Sequence, residues 1–275
     1  MSNMVINTNV LALNSHRSMK NVGAAIARSS ERLSSGLRIN RAADDAAGLA
    51  VSEKMRAQIR GLAQASTNAA DGVSLVQTAE GALQEVQDML HRMRVLTLQA
   101  GNDTLTEADR YLMQIEVSQL IEEINQTSIR TEFNTLTLIN GTLQDAHFQI
   151  GPGLGHSMTV SISNMDATAL GVATVNIHVP DGVLAANQLA ALDTAINDIS
   201  AQRAHLGAIQ NRLEHTIRNL DVSHENLSAS ESRIRDADMA REMMRLTQKN
   251  VLGQAAISML AQANQQPQQL LQLLR

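Results

Sequence analysis

Residues 192–234 read LDTAINDISAQRAHLGAIQNRLEHTIRNLDVSHENLSASESRI, and the apolar periodicity of this segment is the clearest indication of the fold. Apolar residues recur along it in a 4–3 rhythm, and one of the two seam positions of each heptad is apolar throughout. The other seam position carries polar residues at Arg203, Gln210 and His224. Polar groups at such positions fix the register of paired helices at some cost in stability. The pattern predicts one long coiled-coil helix.

Helical spacing also dominates the first half of the chain. Apolar residues from Met55 to Met93 recur at helical intervals without an interrupting proline, which predicts a second long helix. A shorter helix follows through Met113 and Ile124, with Thr106 as its N-cap and acidic residues in its first turn. These elements predict a mainly α protein, built as a long antiparallel coiled-coil bundle in the form of a rod.

Both ends of the chain carry an apolar stripe in a setting poor in charge. An amphipathic helix whose other face is Ala, Ser, Gln and Asn is marginal alone and needs partners on more than one side. We therefore expect both ends to be disordered in the free monomer and to become helical on assembly. The stripe consists of Val22, Ile26, Leu33 and Leu37 near the start and Met243, Leu246, Ile257 and Leu260 near the end.

The segment 141–182 changes to strand-like alternation. Phe148 and Ile150 precede the turn sequence GPGLG at residues 151–155, and Met158 and Val160 follow it, which predicts a β-hairpin. Val175, Ile177 and Val179 alternate in the same way, and they predict a further strand.

Composition excludes several classes of function. The 275 residues include no Trp, no Cys, one Tyr and two Phe, so Ala, Leu, Ile and Met must supply the packing. A net charge of −5 without an aromatic-basic cluster argues against nucleic acid as a partner. The start of the chain lacks the pattern of a cleaved secretory signal, and the Gln-rich end is a poor membrane span. We expect neither nucleic-acid binding nor membrane insertion.

Three features that resemble chemical sites have simpler explanations. The His–Glu neighbours at residues 214–215 and 224–225 point to different helix faces, and no HExxH occurs. The glycine-rich segment 151–155 contains Pro152, and no Lys–Ser/Thr pair follows it, so a hairpin turn is favoured over a phosphate loop. Asp44 and Asp45 are expected to cap a helix and to pair with basic groups of a neighbouring chain. We predict no catalytic, cofactor or metal site, and no enzymatic activity.

Three segments resemble the terminal regions of bacterial flagellins. They are INTNVLALN at 6–14, ERLSSGLRINRAADDAAGLAVSEKMRAQIRGL at 31–62, and MLAQANQQPQQLLQLLR at 259–275. The centre of the chain has almost no room for the outer domains of larger flagellins. The chain therefore resembles a minimal flagellin.

The resemblance implies a domain order and a function. Residues 1–40 and 236–275 would form an inner domain whose paired helices line the filament core, and residues 41–182 and 183–235 would form a rod domain. The implied function is that of a secreted, extracellular subunit that polymerises into the flagellar filament, the helical propeller for motility. Two alternatives are a hook–filament junction protein of the flagellin-related class and a soluble signalling coiled coil similar to the cytoplasmic part of a chemoreceptor.

The resemblance also implies partners. Besides further copies of the chain, these are the flagellar type III export apparatus, filament cap and junction proteins, and an export chaperone that binds the C-terminal helix between Met239 and Leu274. Residues 90–99 resemble the segment detected by the animal innate flagellin receptor. Arg92, Leu96 and Glu116 match the positions implicated there, whereas Val95 departs from the acidic residue common in that motif.

Overall fold

The computed structural model of the protein describes the backbone of residues 8–178 and 182–273, and the side chains of residues 8–178 and 186–266. Nine elements occur within these ranges, and they confirm the mainly α prediction. The helices are α1 (Val10–Ser35), α2 (Ala46–Ala100), α3 (Glu107–Arg130), α4 (Gly182–Arg235) and α5 (Met239–Leu273). The strands are β1 (Glu132–Phe133), β2 (Leu136–Thr137), β3 (Ala146–Gln149) and β4 (Ser157–Val160).

The chain divides into two compact units. Unit 1 comprises Met1–Ala57 and Asn226–Arg275, and unit 2 comprises Gln58–Glu225. The apolar core of the described residues lies in unit 2, where it runs from Ala69 to Leu213.

Within unit 2, α2 and α4 lie antiparallel, as predicted. Arg94 donates to the Asp193 carboxylate (2.7 Å) towards one end of the pair, and Ser66 donates to Asp221 (3.1 Å) towards the other. Between these contacts the helices bury a continuous seam of aliphatic side chains. Its fully buried members include Leu83, Val86, Leu90, Met93, Leu192, Ile199, Leu206 and Leu213.

Arg203 interrupts the α4 seam and is held there by two residues of α2. Its Nη1 donates to Oε1 of Gln87 (2.6 Å), and its Nη2 lies 3.6 Å from the Glu80 carboxylate. A polar residue at a seam position favours the one register in which its partners face it. Gln87 and Glu80 are thus the partners through which Arg203 can fix the register of α2 and α4, as predicted.

Helix α3 begins at the predicted cap. The Thr106 hydroxyl accepts from the Asp109 amide, and the Asp109 carboxylate accepts from the Thr106 amide (3.0 Å), which completes a capping box. The turn between α2 and α3 is closed by Arg110, which is 6% exposed and donates to the carbonyl oxygens of Ala100 (2.9 Å) and Asn102 (3.2 Å). The guanidinium thereby satisfies carbonyl groups at the C-terminal end of α2.

The predicted hairpin is confirmed as β3 and β4, which pair antiparallel with Phe148 opposite Met158. Its loop lies against α2 at Gly61, where an added Cβ would be 2.8 Å from the Cβ of Pro152. A second hairpin, β1–β2, was not predicted. Its two loop residues, Asn134 (φ 50°) and Thr135 (φ 66°), both adopt the left-handed conformation of a type I′ turn.

The predicted strand at Val175 and Ile177 is wrong, and Val179 lies outside the described residues. Both described side chains are buried, as the alternation indicated, but no strand within residues 8–178 and 182–273 pairs with them. Instead, the side-chain amide of Gln114 on α3 accepts from the Ile177 amide (2.7 Å) and donates to the Val175 carbonyl oxygen (3.3 Å). One glutamine makes the hydrogen bonds that a neighbouring strand would otherwise make.

Candidate assembly surface

The two ends of the chain pair in unit 1, where α1 lies antiparallel to α5. Near the start of α1, Asn9 donates from Nδ2 to the carbonyl oxygen of Ala263 (2.6 Å). Near the end of α1, the Ser29 hydroxyl donates to Oε1 of Glu242 (2.6 Å). The predicted pairing of the terminal helices is confirmed, and we call this element the terminal pair.

A glycine ends α1 and forms a backbone hydrogen bond with the segment that precedes α5. Gly36 adopts φ 71°, the left-handed conformation that glycine tolerates at a helix C-terminus. Its carbonyl oxygen accepts from the Ala237 amide (2.9 Å), and the next residue, Leu37, forms an antiparallel bridge with Asp236. Backbone hydrogen bonds therefore fix the position at which α5 begins relative to the end of α1.

The seam of the terminal pair contains small and polar residues that the predicted stripe omitted. Glu242 and Ser29 are 5% and 7% exposed, and Arg245 lies 3.3 Å from the second oxygen of the Glu242 carboxylate. A Cβ added at Gly253 would meet Val22 and Ile26 at ordinary contact distance. The sequence does hold the signal, because the shielded positions of α5 follow a 4–3 rhythm: Glu242, Leu246, Lys249, Gly253, Ala256, Leu260 and Ala263.

The structure divides the predicted stripe between two faces. Six members are half-buried: Val22, Ile26, Leu33, Leu37, Leu246 and Leu260. Met243 and Ile257 are instead 52% and 59% exposed, because the adjacent Glu242 and Ala256 occupy the seam. The prediction considered only large apolar residues, and it therefore missed the seam positions that small or charged residues occupy.

Much of the apolar surface of the terminal pair has no partner among the residues that the structure describes. Among the described apolar residues of unit 1, only Ile39 and Ala263 are fully buried. Apolar surface concentrated in this way marks an interaction site. We call the exposed apolar residues of both helices the outer face: Val10, Leu11, Leu13, Met239, Met243, Met244, Val251, Leu252, Ile257 and Met259.

A groove of about 370 Å³ runs between the two helices beside this outer face. Leu11 and Val22 line it from α1, and Leu252, Ala256 and Met259 line it from α5. Its lining is mainly apolar and its size suits side chains from another helix. The terminal pair therefore offers exposed apolar residues on several sides of its helices and an apolar recess between the two helices.

The loop before α2 is ordered by its acidic residues, as predicted. Asp45 caps α2 by accepting from the Gly48 amide (2.8 Å). Asp44 accepts from the amides of Arg41 and Asn40 and lies 3.9 Å from Arg32, and these contacts, the Arg41 amide foremost, lower the pKa of its carboxyl. The described partners belong to the same chain, and the expected contacts with a neighbouring chain stay a prediction.

Arg235 ties the end of α4 to the start of α2 within unit 1. Its Nη1 donates to Oε1 of Glu53 (2.6 Å), and this hydrogen bond is the main cause of the lowered pKa of Glu53. The long helices are thus anchored where they meet the terminal segments.

The receptor-like residues lie on unit 2. Arg92 donates from Nε to Oε1 of Glu116 (2.6 Å), and this bond raises the pKa of the guanidinium. Leu96 is only 2% exposed and packs in the core, whereas the neighbouring Val95 is 52% exposed. The structure brings Arg92 and Glu116 together on the surface and places Leu96 beneath it.

The described side chains form no group of three His, Asp or Glu residues able to hold a metal ion. Of the helices in the described ranges, none combines the length and hydropathy needed to cross a membrane.

Comparison with known families identifies both halves of the chain. The bacterial flagellin N-terminal helical region matches residues 6–144, and the bacterial flagellin C-terminal helical region matches residues 189–274. The flagellin of Halalkalibacterium halodurans is 51% identical over 275 residues, covering 99% of this chain and all of that protein. The flagellin of Bacillus subtilis is 48% identical over 309 residues, with the same coverage of both chains.

Two solved structures are similar to the chain. The crystal structure of Bacillus cereus flagellin has a TM-score of 0.51 and 31% identity, and it covers 56% of this chain and 88% of that one. A putative flagellar hook-associated protein from Vibrio parahaemolyticus has a TM-score of 0.60 over 70% of this chain and all of that one. At 15% identity, the second likeness shows the fold alone.

Proposed function

The chain belongs to the bacterial flagellin family and is a structural subunit of the flagellar filament, and we propose that it polymerises through the outer face of its terminal pair. The observation that carries this proposal is the contrast in burial within the chain. Unit 2 buries a continuous apolar core, although it leaves a minority of its large apolar residues exposed, such as Leu112 and Ile115, whereas the terminal pair leaves most of its large apolar residues exposed. The predicted alternative, a hook–filament junction protein, is not favoured, because full-length relatives are flagellins and filament core proteins.

Energetics favour a second layer of helices on this face. Full burial of a Val, Leu, Ile or Met side chain contributes about 1.5 to 3 kcal/mol. Several such residues lie on each helix of the pair, so contacts with neighbouring subunits on more than one side would release far more than a single helix pair can. The groove at Leu11 and Met259 gives those contacts a defined position.

The domain arrangement follows from the same proposal. The inner domain consists of residues 1–40 and 236–275, and its helices line the filament core. The rod domain consists of residues 41–182 and 183–235. The terminal pair supports this division, since its unpartnered apolar surface suits a fully enclosed position.

The remaining partners rest on the same helices. The export chaperone binds the amphipathic helix from Met239 towards Leu274, which itself lies outside the described residues, in a helix-in-groove mode. The type III export apparatus carries the chain to the extracellular filament, and cap and junction proteins contact it at the filament ends. Disorder of both ends before assembly stays a prediction that suits this route. On unit 2, Arg92 and Glu116 form the surface for an animal innate flagellin receptor, and the buried Leu96 supports that surface from beneath, whereas Val95 departs from the motif.

Negative-stain electron microscopy of the purified chain after seeding tests the assembly proposal. We expect filaments from the full chain and none from a chain that lacks residues 239–275. Two single changes refine the test: Ile257→Asp places a charge on the exposed outer face, and Leu260→Asp places one in the half-buried seam. Both should abolish filaments, because burial of an unpaired charge is strongly unfavourable.

The matched control is Ile257→Leu, which keeps apolar character and volume and should polymerise. Circular dichroism of each monomer shows whether unit 2 stays folded. Normal filaments from Ile257→Asp would refute the assignment of the outer face to assembly.

A further inference from the structure

The methionines of the chain separate by region. In unit 2, Met93, Met158 and Met165 are at most 5% exposed. The exposed methionines among the described residues all lie on α5: Met239 (46%), Met243 (52%), Met244 (67%) and Met259 (56%). We call these four the α5 methionines. Together they supply four of the ten residues of the outer face.

Neither a cysteine nor an aromatic ring of unit 1 protects the α5 methionines from oxidation. It contains no cysteine that would react first with a peroxide. Its three aromatic residues, Tyr111, Phe133 and Phe148, all lie in unit 2, so no aromatic ring within unit 1 covers a methionine sulfur. In the unassembled chain, the α5 methionines are the most accessible sulfur atoms of the described part.

Oxidation of a methionine by a peroxide is a balanced two-electron step. With hydrogen peroxide, the sulfur lone pair attacks one oxygen as the O–O bond breaks. The proton on the attacked oxygen moves to the departing hydroxide, and the second oxygen leaves as water. The product is a sulfoxide, a polar and chiral side chain that methionine sulfoxide reductases convert back to the thioether. Oxidation to the sulfoxide therefore places a strong hydrogen-bond acceptor at a position that otherwise presents an apolar side chain.

We propose that the α5 methionines form a reversible oxidation site that controls whether the subunit can polymerise. The proposal rests on the proposed function of the outer face. When neighbouring helices cover these residues, each sulfoxide oxygen loses its hydrogen bonds to water, which an interface formed around apolar thioethers is not built to replace. Oxidised subunits are excluded from the filament, and assembled subunits are protected because the same sulfur atoms are covered.

The first measurement maps the reaction with hydrogen peroxide. Full-length monomer and preformed filaments receive the same dose, and mass spectrometry follows each methionine-containing peptide. In the monomer, the α5 methionines should oxidise before Met93, Met158 and Met165. In filaments they should be protected. Equal oxidation rates for α5 and buried methionines in the monomer, or no protection in filaments, would overturn the proposal.

The second measurement compares assembly. Oxidised monomer should show a critical concentration for polymerisation raised about tenfold or more, a factor expected from one unpaired polar group on burial. Treatment with methionine sulfoxide reductase and a thiol reductant should restore the original value. Unchanged assembly of a chain whose α5 methionines are shown to be oxidised would refute the proposal.

A variant with all four α5 methionines replaced by leucine separates this proposal from the one on which it rests. Met→Leu keeps volume and apolar character, so the untreated variant should polymerise, and peroxide should no longer inhibit it. Peroxide inhibition equal to that of the parent chain would move the effect to other residues and overturn the proposal. If Ile257→Asp polymerises normally while peroxide still inhibits the parent chain, the outer-face assignment fails and the oxidation effect must act elsewhere.

Discussion

Unit 1 and unit 2 contain the same kinds of residue, but they differ in how far they bury their aliphatic side chains. Both consist mainly of long helices, and aliphatic side chains dominate their contacts. In unit 2 the seam of α2 and α4 is covered by α3 and the hairpins, so Leu90 and Leu206 are fully buried. In the described part of unit 1, α1 and α5 pack mainly on each other, and Leu13 remains 62% exposed. A single chain can thus hold one region with a continuous buried core and one that leaves most of its large apolar side chains exposed.

The largest expected effect comes from truncating a leucine in each setting. Leu90→Ala should lower the free energy of unfolding by about 2 to 5 kcal/mol, because the side chain is fully buried and leaves a cavity. Leu246→Ala, at a half-buried position of the terminal pair, should leave the free energy of unfolding of the monomer nearly unchanged, because we expect the terminal pair to become ordered only on assembly. Urea unfolding followed by circular dichroism measures both. Equal losses would remove the distinction between the two regions.

Glycines in the helices give the next largest effect. An added Cβ at Gly61 would be 2.8 Å from Pro152, so Gly61→Ala should destabilise unit 2 by about 1 to 2 kcal/mol despite the better helix propensity of alanine. Gly81 on the same helix meets nothing within 4 Å, and Gly81→Ala should stabilise by about 0.5 to 1 kcal/mol. Gly23 on α1 is equally open, so Gly23→Ala should raise the helix content of the monomer. Thermal unfolding of the three variants measures these effects. A stabilising Gly61→Ala would contradict the close approach of Gly61 and Pro152.

A smaller effect comes from the cap of α3. Thr106→Ala removes the hydroxyl that accepts from the helix amide, and it should cost about 1 kcal/mol in thermal unfolding. The matched control is Thr104→Ala in the same loop, where the Thr104 amide donates to Asn102 but its hydroxyl makes no hydrogen bond to any residue that the structure describes. Equal effects of the two changes would argue against the capping box.

The same cap predicts a dependence on pH. Hydrogen bonds from the Thr106 hydroxyl and then the Thr106 amide lower the pKa of Asp109 below its ordinary value of 3.8. A carboxyl with a lowered folded-state pKa stabilises the fold above the unfolded pKa, and it loses this contribution as the pH falls through the folded pKa. In Thr106→Ala, NMR titration should show the pKa of Asp109 closer to 3.8. An unchanged pKa would contradict this cause.

The smallest effect is expected at the exposed pair of Arg92 and Glu116. Although the distance is 2.6 Å, both side chains are about half exposed, so water and salt screen their attraction. Arg92→Ala should change thermal stability by little more than the error of measurement. A large loss that persists at high salt would show that the contact supports the core beneath it, where Leu96 lies.

Regular helical patterns could be predicted from the sequence, and contacts that depend on register could not. The repeat from Leu192 to Ile234 predicted α4, and the lone N-cap Thr106 predicted the start of α3. The partners of Arg203 were not predictable, because they depend on the relative shift of α2 and α4. The seam of the terminal pair was only partly found, since Gly253 and Ser29 carry little apolar surface to indicate burial.

The β elements show the same limit at shorter range. The four-residue strands around GPGLG carry enough alternation for prediction, whereas the two-residue strands of β1–β2 do not. Val175 and Ile177 alternate correctly and are buried, yet their backbone groups bond to Gln114 from a helix. Alternation reports which side chains are buried, and it does not report which element supplies the hydrogen bonds.

The loop at Leu154 makes the subunit a natural display scaffold. Leu154 is fully exposed at the tip of the loop, while Pro152 is held against Gly61 and the Gln149 amide holds the carbonyl oxygens of Gly151 and Gly153. A foreign peptide inserted at the tip would leave these anchors in place, and each doubling of loop length costs only about 0.6 kcal/mol in closure entropy. Such a peptide would recur once per subunit along the polymer, as a regular array of epitopes at a spacing set by the filament lattice.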